Sequence, residues 1–198
     1  NKVLYGSDTP LDAKTLLQGL QPRPPSPSSG RDPWRAGDED DHPFGAWRTS
    51  EMPKCPESVL SLCEFDVAGV TTGLFYLGGQ GTSFCFHLED NRFGSYNFVY
   101  AGYGKLWYSM SEDQVGAFRR ACKKLGINPN LATMADLELL ILHGVKIRRI
   151  VQRPGEVVIT FPGAYHGGFN LGPNVAEAAN MAFLDWLPQG RLASEDDR

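Results

Sequence analysis

The sequence predicts a mainly-β protein, a double-sheet barrel of the jelly-roll kind with a few peripheral helices. Three observations carry this. From about residue 64 the chain breaks into short apolar or alternating runs bounded by Gly, Asn and Asp. Aromatics reach 11 %, with 22 Gly and 14 Pro, a strand-and-turn composition. A single pair of helical patterns interrupts the strands. With 41 % hydrophobic and 21 % charged residues over 198 positions, the chain has enough apolar surface to build a core.

Taken in order, residues 1–20 open with Val3, Leu4 and Tyr5. A short helix is expected next, with Thr9 as its cap and Pro10 at its first position. Ala13, Leu16, Leu17 and Leu20 then share one face. Residues 21–45 are rich in Pro, Ser, Gly and charge and read as an exposed insertion. Residues 46–191 hold the strand pattern: FDVAGVTTGLFYLGG, TSFCFHLE, SYNFVYAG and KLWYSM. The clearest helix follows. Ser111 and Gln114 form a capping-box pattern, Val115, Phe118, Cys122 and Leu125 share a face, and Gly126 closes it. A second helix is expected over Met134–His143, ending at Gly144. Strands resume with VKIRRIVQR, EVVITF and AYHGGFN and end with one near Ala176–Phe183. Residues 192–198 read as a frayed polar tail.

Net charge is −4 and the isoelectric point about 5.6, which argues against direct nucleic-acid binding. No run of 18 apolar residues exists, so no membrane span is expected. Cys55, Cys63, Cys85 and Cys122 form no CxxC pair; free thiols in a reducing compartment are expected. Asn1 in place of Met predicts a piece of a longer protein.

Of the four histidines, His42 lies in the insertion and His143 at a helix end. His87 and Glu89 lie in a strand pattern, where residues i and i+2 point to the same face. His166 follows 79 residues later at another strand end. Two histidines and a carboxylate on a barrel interior make the facial triad of non-haem Fe(II) oxygenases. Strict alternation places Phe84 on the opposite face from His87.

The stretches YGSD (Tyr5–Asp8), EMPKCPESVL, SFCFHLED (Ser83–Asp90), SYNFVYAGYGKLWY (Ser95–Tyr108) and Pro154–Arg191 resemble the JmjC domain. The nearest likeness is to the JARID subfamily of histone demethylases. The resemblance implies a cupin-like double-stranded β-helix that binds Fe(II) through His87, Glu89 and His166. It implies 2-oxoglutarate and molecular oxygen as co-substrates. Lys105 and Tyr5 would meet the distal carboxylate, Phe84 and Trp107 would wall the pocket, and Ser95 and Asn97 would line it. Tyr76 and Asn170 would face methyl-lysine, beside the iron and away from Lys105.

The implied activity is demethylation of methyl-lysine on histone H3, lysine-4 favoured, by N-methyl hydroxylation in the nucleus, within chromatin complexes. A JmjC hydroxylase of a non-histone protein and an inactive interaction module are the alternatives. Phe86 stands where the family has Trp, Tyr96 where it has Ile, and Gly78-Gly79 replaces a bulkier segment.

Overall fold

The structure, a computed structural model, describes residues 51–129 and 134–196. Tyr5, the helix expected over 9–20 and the insertion at 21–45 lie outside the described residues.

Among the described residues, eight strands form two four-stranded sheets with all pairings antiparallel. The strands are β1 (Leu74–Gly78), β2 (Ser83–His87), β3 (Gly94–Gly102), β4 (Lys105–Ser109), β5 (Arg148–Gln152), β6 (Val157–Thr160), β7 (His166–Asn170) and β8 (Asn174–Met181). One sheet runs β1-β8-β3-β6 and the other β2-β7-β4-β5. This is the expected jelly roll. The long run from residue 64 yields only β1; the turn before it is closed by an isolated Ala68–Thr72 bridge and by Thr71 Oγ1 accepting from the Val67 amide.

Alternation along each strand divides an inner from an outer face. On β3 and β8, Ser95 pairs with Asn180, Asn97 with Ala178 and Val99 with Ala176, all inward. Tyr96, Ala179 and Met181 point outward and pack with Met52. The inner face of this sheet is unusually polar for a protein interior.

The apolar core sits mainly outside the second sheet. Helices α1 (Val115–Leu125) and α2 (Leu137–Leu142) cover it. Phe118, Ala121 and Cys122 of α1 and Leu140 of α2 pack with Phe86, Met110 and Tyr165. Burying a side chain such as Phe118 or Leu140 contributes about 1.5–3 kcal/mol each. Phe86 and Tyr96, two positions that depart from the family pattern, therefore face away from the barrel interior.

Three local expectations change. The capping box does not form: Ser111 Oγ instead donates to Asp113, a 3-10 turn occupies Glu112–Gln114, and α1 starts after it. Gln114 is occupied elsewhere, its Oε1 accepting from the Lys146 amide at 3.1 Å. Helix α2 is shorter than expected, because Asp136 caps it by accepting from the Glu138 and Leu139 amides. Residues 192–196, expected to fray, continue helix α3 (Leu187–Asp196). Gly126 and Gly144 close α1 and α2 in left-handed conformations, as the sequence predicts. All four cysteines are free thiols, with Cys85 and Cys122 buried. Among the described residues, no helix is long and apolar enough to cross a membrane.

Candidate active site

Between the sheets lies a cavity of about 500 Å3. The first sheet lines it with Tyr76, Ser95, Asn97 and Asn180. The second contributes Phe84, His87, Lys105, Trp107, His166 and Asn170. Every candidate site residue among the described ones reaches this one space.

At one end, β2 and β7 set His87 directly opposite His166, with ring centroids 4.4 Å apart. Glu89 is not in the strand as expected. Strand β2 ends at His87, but Glu89 keeps extended backbone (φ −62°, ψ 153°), so its carboxylate still turns to the same side. Its Oε1 lies 3.1 Å from His166 Nε2 and 4.0 Å from His87 Nε2. The three donor atoms are all within 4.8 Å of one another.

Both imidazoles are oriented from behind. His87 Nδ1 is 2.7 Å from the Cys85 carbonyl and His166 Nδ1 is 3.1 Å from the Ala164 carbonyl. A carbonyl only accepts, so each Nδ1 carries a proton and each Nε2 is the nitrogen turned toward Glu89 and the cavity. Glu89 Oε2 accepts from Asn180 Nδ2 at 3.0 Å. Burial alone would raise the Glu89 pKa. The hydrogen bond and charge of His166, with help from Ser95 and His87, outweigh it and hold the carboxyl at about 2. Burial first, and His166 second, lower the His87 pKa below the ordinary imidazole value. At neutral pH Glu89 is thus a carboxylate and His87 a neutral imidazole, the forms in which these two groups bind metal.

The donor set fits a divalent transition metal. Two imidazole nitrogens and one carboxylate oxygen suit such ions. Neighbouring ligands on one ion stand roughly 3 Å apart at bond lengths near 2 Å, the spacing of the His166–Glu89 pair.

Phe84 corrects the alternation argument. The β2–β7 register shifts between Phe84 and His87: Phe84 faces Gly168, and His87 faces His166. Cys85 and Phe86 thus stand opposite Gly167 alone, a bulge with one extra residue. The extra residue returns Phe84 and His87 to the same face. Phe84 stacks edge-on against Trp107 at 4.6 Å, and Lys105 Nζ lies 5.8 Å above its ring. Gly168 makes room, since a Cβ there would come within 2.7 Å of the Phe84 ring.

At the other end sits Lys105, 4 % exposed. Its ammonium donates to Asn170 Oδ1 at 2.8 Å and has no carboxylate partner among the described residues. Burial pushes its pKa down to about 8. Asn170 therefore does not stand away from Lys105 as expected. The cause is register: β4 and β7 pair Lys105 with Asn170 and Ser109 with His166, so Asn170 and His166 are at opposite ends of β7. Asn170 Nδ2 donates to Thr82 Oγ1 at 2.8 Å, and Asn174 Nδ2 donates to Asn170 Oδ1 at 2.9 Å. Gly78 packs on this cluster; a Cβ there would meet Asn174 Oδ1 at 2.5 Å.

Between the ends, Ser95 Oγ bonds Thr160 Oγ1 at 2.6 Å. Asn97 Oδ1 is buried without a hydrogen-bond partner, a polar atom facing ligand space. Trp107 Nε1 donates to Gln152 Oε1 at 2.8 Å. Tyr76 lines the same cavity as His87 but from the other sheet, because β1 pairs with β8 and not with β2.

Asn180, Thr160, Gln152 and Thr82 were missed in the sequence. Each acts through a partner 45 to 91 residues away. Only Asn180 carried a signal, being inward on the same strand alternation as Ala178.

Residues 74–181 match the family described as JmjC domain, hydroxylase. The chain is 37 % identical, over 98 % of its length, to lysine-specific demethylase JMJ703 of Oryza sativa subsp. japonica. It is 35 % identical, again over 98 %, to lysine-specific demethylase JMJ17 of Arabidopsis thaliana. Over 74 % of the chain it is 39 % identical to lysine-specific demethylase rbr-2 of Caenorhabditis briggsae. The chain spans 16 % of the length of the first two relatives and 10 % of the third.

Proposed function

We propose, for a chain that belongs to the JmjC domain family, that it is the catalytic core of an Fe(II)- and 2-oxoglutarate-dependent lysine demethylase. The single observation that carries this reading is the pairing in one cavity of a His-Glu-His cluster with a buried lysine that lacks an anion. The relatives, named as lysine-specific demethylases, support it. The JARID-like motifs favour methylated histone H3, lysine-4, as substrate, with chromatin complexes and the nucleus as its setting.

His87, Glu89 and His166 would hold Fe(II), and the bound iron supplies the oxidising chemistry. Overall, one N-methyl group, one O2 and one 2-oxoglutarate give the demethylated amine, formaldehyde, succinate and CO2. The chain's own residues do the rest. Lys105 pairs with the distal carboxylate of 2-oxoglutarate, and Asn170 keeps its ammonium aimed there. Tyr5 joins them by resemblance. Ser95 and Asn97 offer polar contacts along the co-substrate, while Phe84 and Trp107 exclude water from it. Tyr76 supplies the oxygen and aromatic wall that suit a methylated ammonium, which keeps its charge and loses donors.

The test is mass spectrometry of histone H3 peptides methylated at lysine-4 and at other lysines, with formaldehyde and succinate measured together. Loss of methyl with matched formaldehyde supports the reading. A stable product heavier by one oxygen on a non-histone protein would replace it with protein hydroxylation. No turnover of any methylated peptide by an iron-loaded enzyme would leave a binding module.

A further inference from the structure

The overall charge conceals a segregation. Between residues 115 and 153 stand eight cations, Arg119, Arg120, Lys123, Lys124, Lys146, Arg148, Arg149 and Arg153, against two carboxylates, Asp136 and Glu138. Elsewhere the chain has eleven cations and twenty-one carboxylates.

Six of these cations, Arg119, Arg120, Lys123, Lys124, Lys146 and Arg149, share one side of the fold. Phe118, Ala121 and Cys122 turn α1 inward, which leaves Arg119, Arg120, Lys123 and Lys124 exposed on its solvent side. Val145 and Ile147 pack on the same core cluster, so exposed Lys146 lies beside the helix. Its amide is bonded by Gln114, next to the start of α1. Arg149 pairs across β4 with Tyr108, which packs on that cluster too. Arg119, Arg120, Lys123, Lys124, Arg148 and Arg149 make no ion pair with a described carboxylate. Glu112 and Asp113 bound the patch at one end, and both already accept hydrogen bonds, from Gln189 and from Ser111 and Gln114.

We infer that this α1–β5 face binds the phosphate backbone of duplex DNA. The eleven residues of α1 span about 16 Å, a length over which a duplex carries about nine phosphate charges. The two tiers of cations stand about 6 Å apart, one helical turn. Arginine forks match phosphate oxygens in pairs. None of these groups belongs to the cavity, so the inference does not depend on its chemistry. It does give a demethylase of histone tails a hold on the polymer that carries them.

The experiment is fluorescence anisotropy of a labelled 25-base-pair duplex with the 198-residue chain, without metal or co-substrate, from 50 to 200 mM KCl. Four to five phosphate contacts weaken binding by about 100-fold or more over that range. The combined variant Arg119→Gln, Arg120→Gln, Lys123→Gln, Lys124→Gln should bind at least 10-fold more weakly at 50 mM. Its log–log salt slope should flatten by about 3.6. Its melting temperature should hold, since all four side chains are exposed. Absence of duplex binding at 50 mM would overturn the inference. So would equal binding by the variant, or binding to phosphatidylserine vesicles without binding to DNA.

Discussion

If the proposed function holds, Lys105 should make 2-oxoglutarate binding sensitive to mildly alkaline pH. Its ammonium is buried, and burial brings its pKa to about 8 from an ordinary value of 10.5. Only the protonated form pairs with a carboxylate. If a bound dicarboxylate restores the ordinary pKa, affinity tracks the protonated fraction of the free enzyme. That fraction is about nine-tenths at pH 7 and one-tenth at pH 9. The dissociation constant for 2-oxoglutarate should therefore rise about tenfold between pH 7 and 9. Calorimetric titration with the Mn(II)-loaded protein measures it. Lys105→Met, titrated alongside, removes the contribution of other groups.

Stability of the free protein moves the other way. The folded pKa lies below the unfolded one, so the unfolded chain binds more protons between pH 8 and 10.5. The burial penalty, about 3 kcal/mol, acts fully below pH 8 and fades as pH rises toward 10.5. A dissociation constant flat from pH 7 to 9, or one that changes equally in Lys105→Met, would refute the assignment of Lys105 as the anion's partner.

Three further outcomes are expected. Asn170→Ala should raise the 2-oxoglutarate requirement more than the peptide requirement, because its carbonyl oxygen holds Lys105; separate KM values for the two substrates test this. Asn180→Ala removes the Asn180 hydrogen bond to Glu89 Oε2 and should weaken Mn(II) binding by about 10-fold, read by equilibrium dialysis with the fold checked by circular dichroism. Trp186→Phe removes the bond to the Asn91 carbonyl. That bond holds a turn in which Asn91 and Arg92 both have positive φ, next to Glu89. Thermal unfolding should show a loss of about 1 kcal/mol, and adding Asn91→Gly should recover part of it, since glycine adopts that conformation without strain.

Period-2 alternation and turn residues were legible because they are local. They determined the strand class, the inward set Ser95, Asn97 and Val99 on β3, and the left-handed closures at Gly126 and Gly144. The motifs around His87, Glu89 and His166 pointed to the three residues whose donor atoms the fold brings within 4.8 Å of one another, and a buried His, Glu and Lys in strand patterns pointed to one pocket.

Register was not legible. A bulge of one residue reverses every facing beyond it, and nothing in SFCFH announces the one that puts Phe84 beside His87. The pairing of β4 with β7 alone decided that Asn170 serves Lys105 and stands at the far end from His166. The capping box at Ser111 failed for a partly similar reason: the neighbouring Asp113 took the Ser111 hydroxyl, and the Lys146 amide, brought close by tertiary packing, took Gln114. Charge, too, was a sum in the sequence and became a surface only in the fold, where α1 turns its four cations outward on a chain of net charge −4. Sequence sets what each residue can do; the three-dimensional pairing of distant strands determines which partner it does it with.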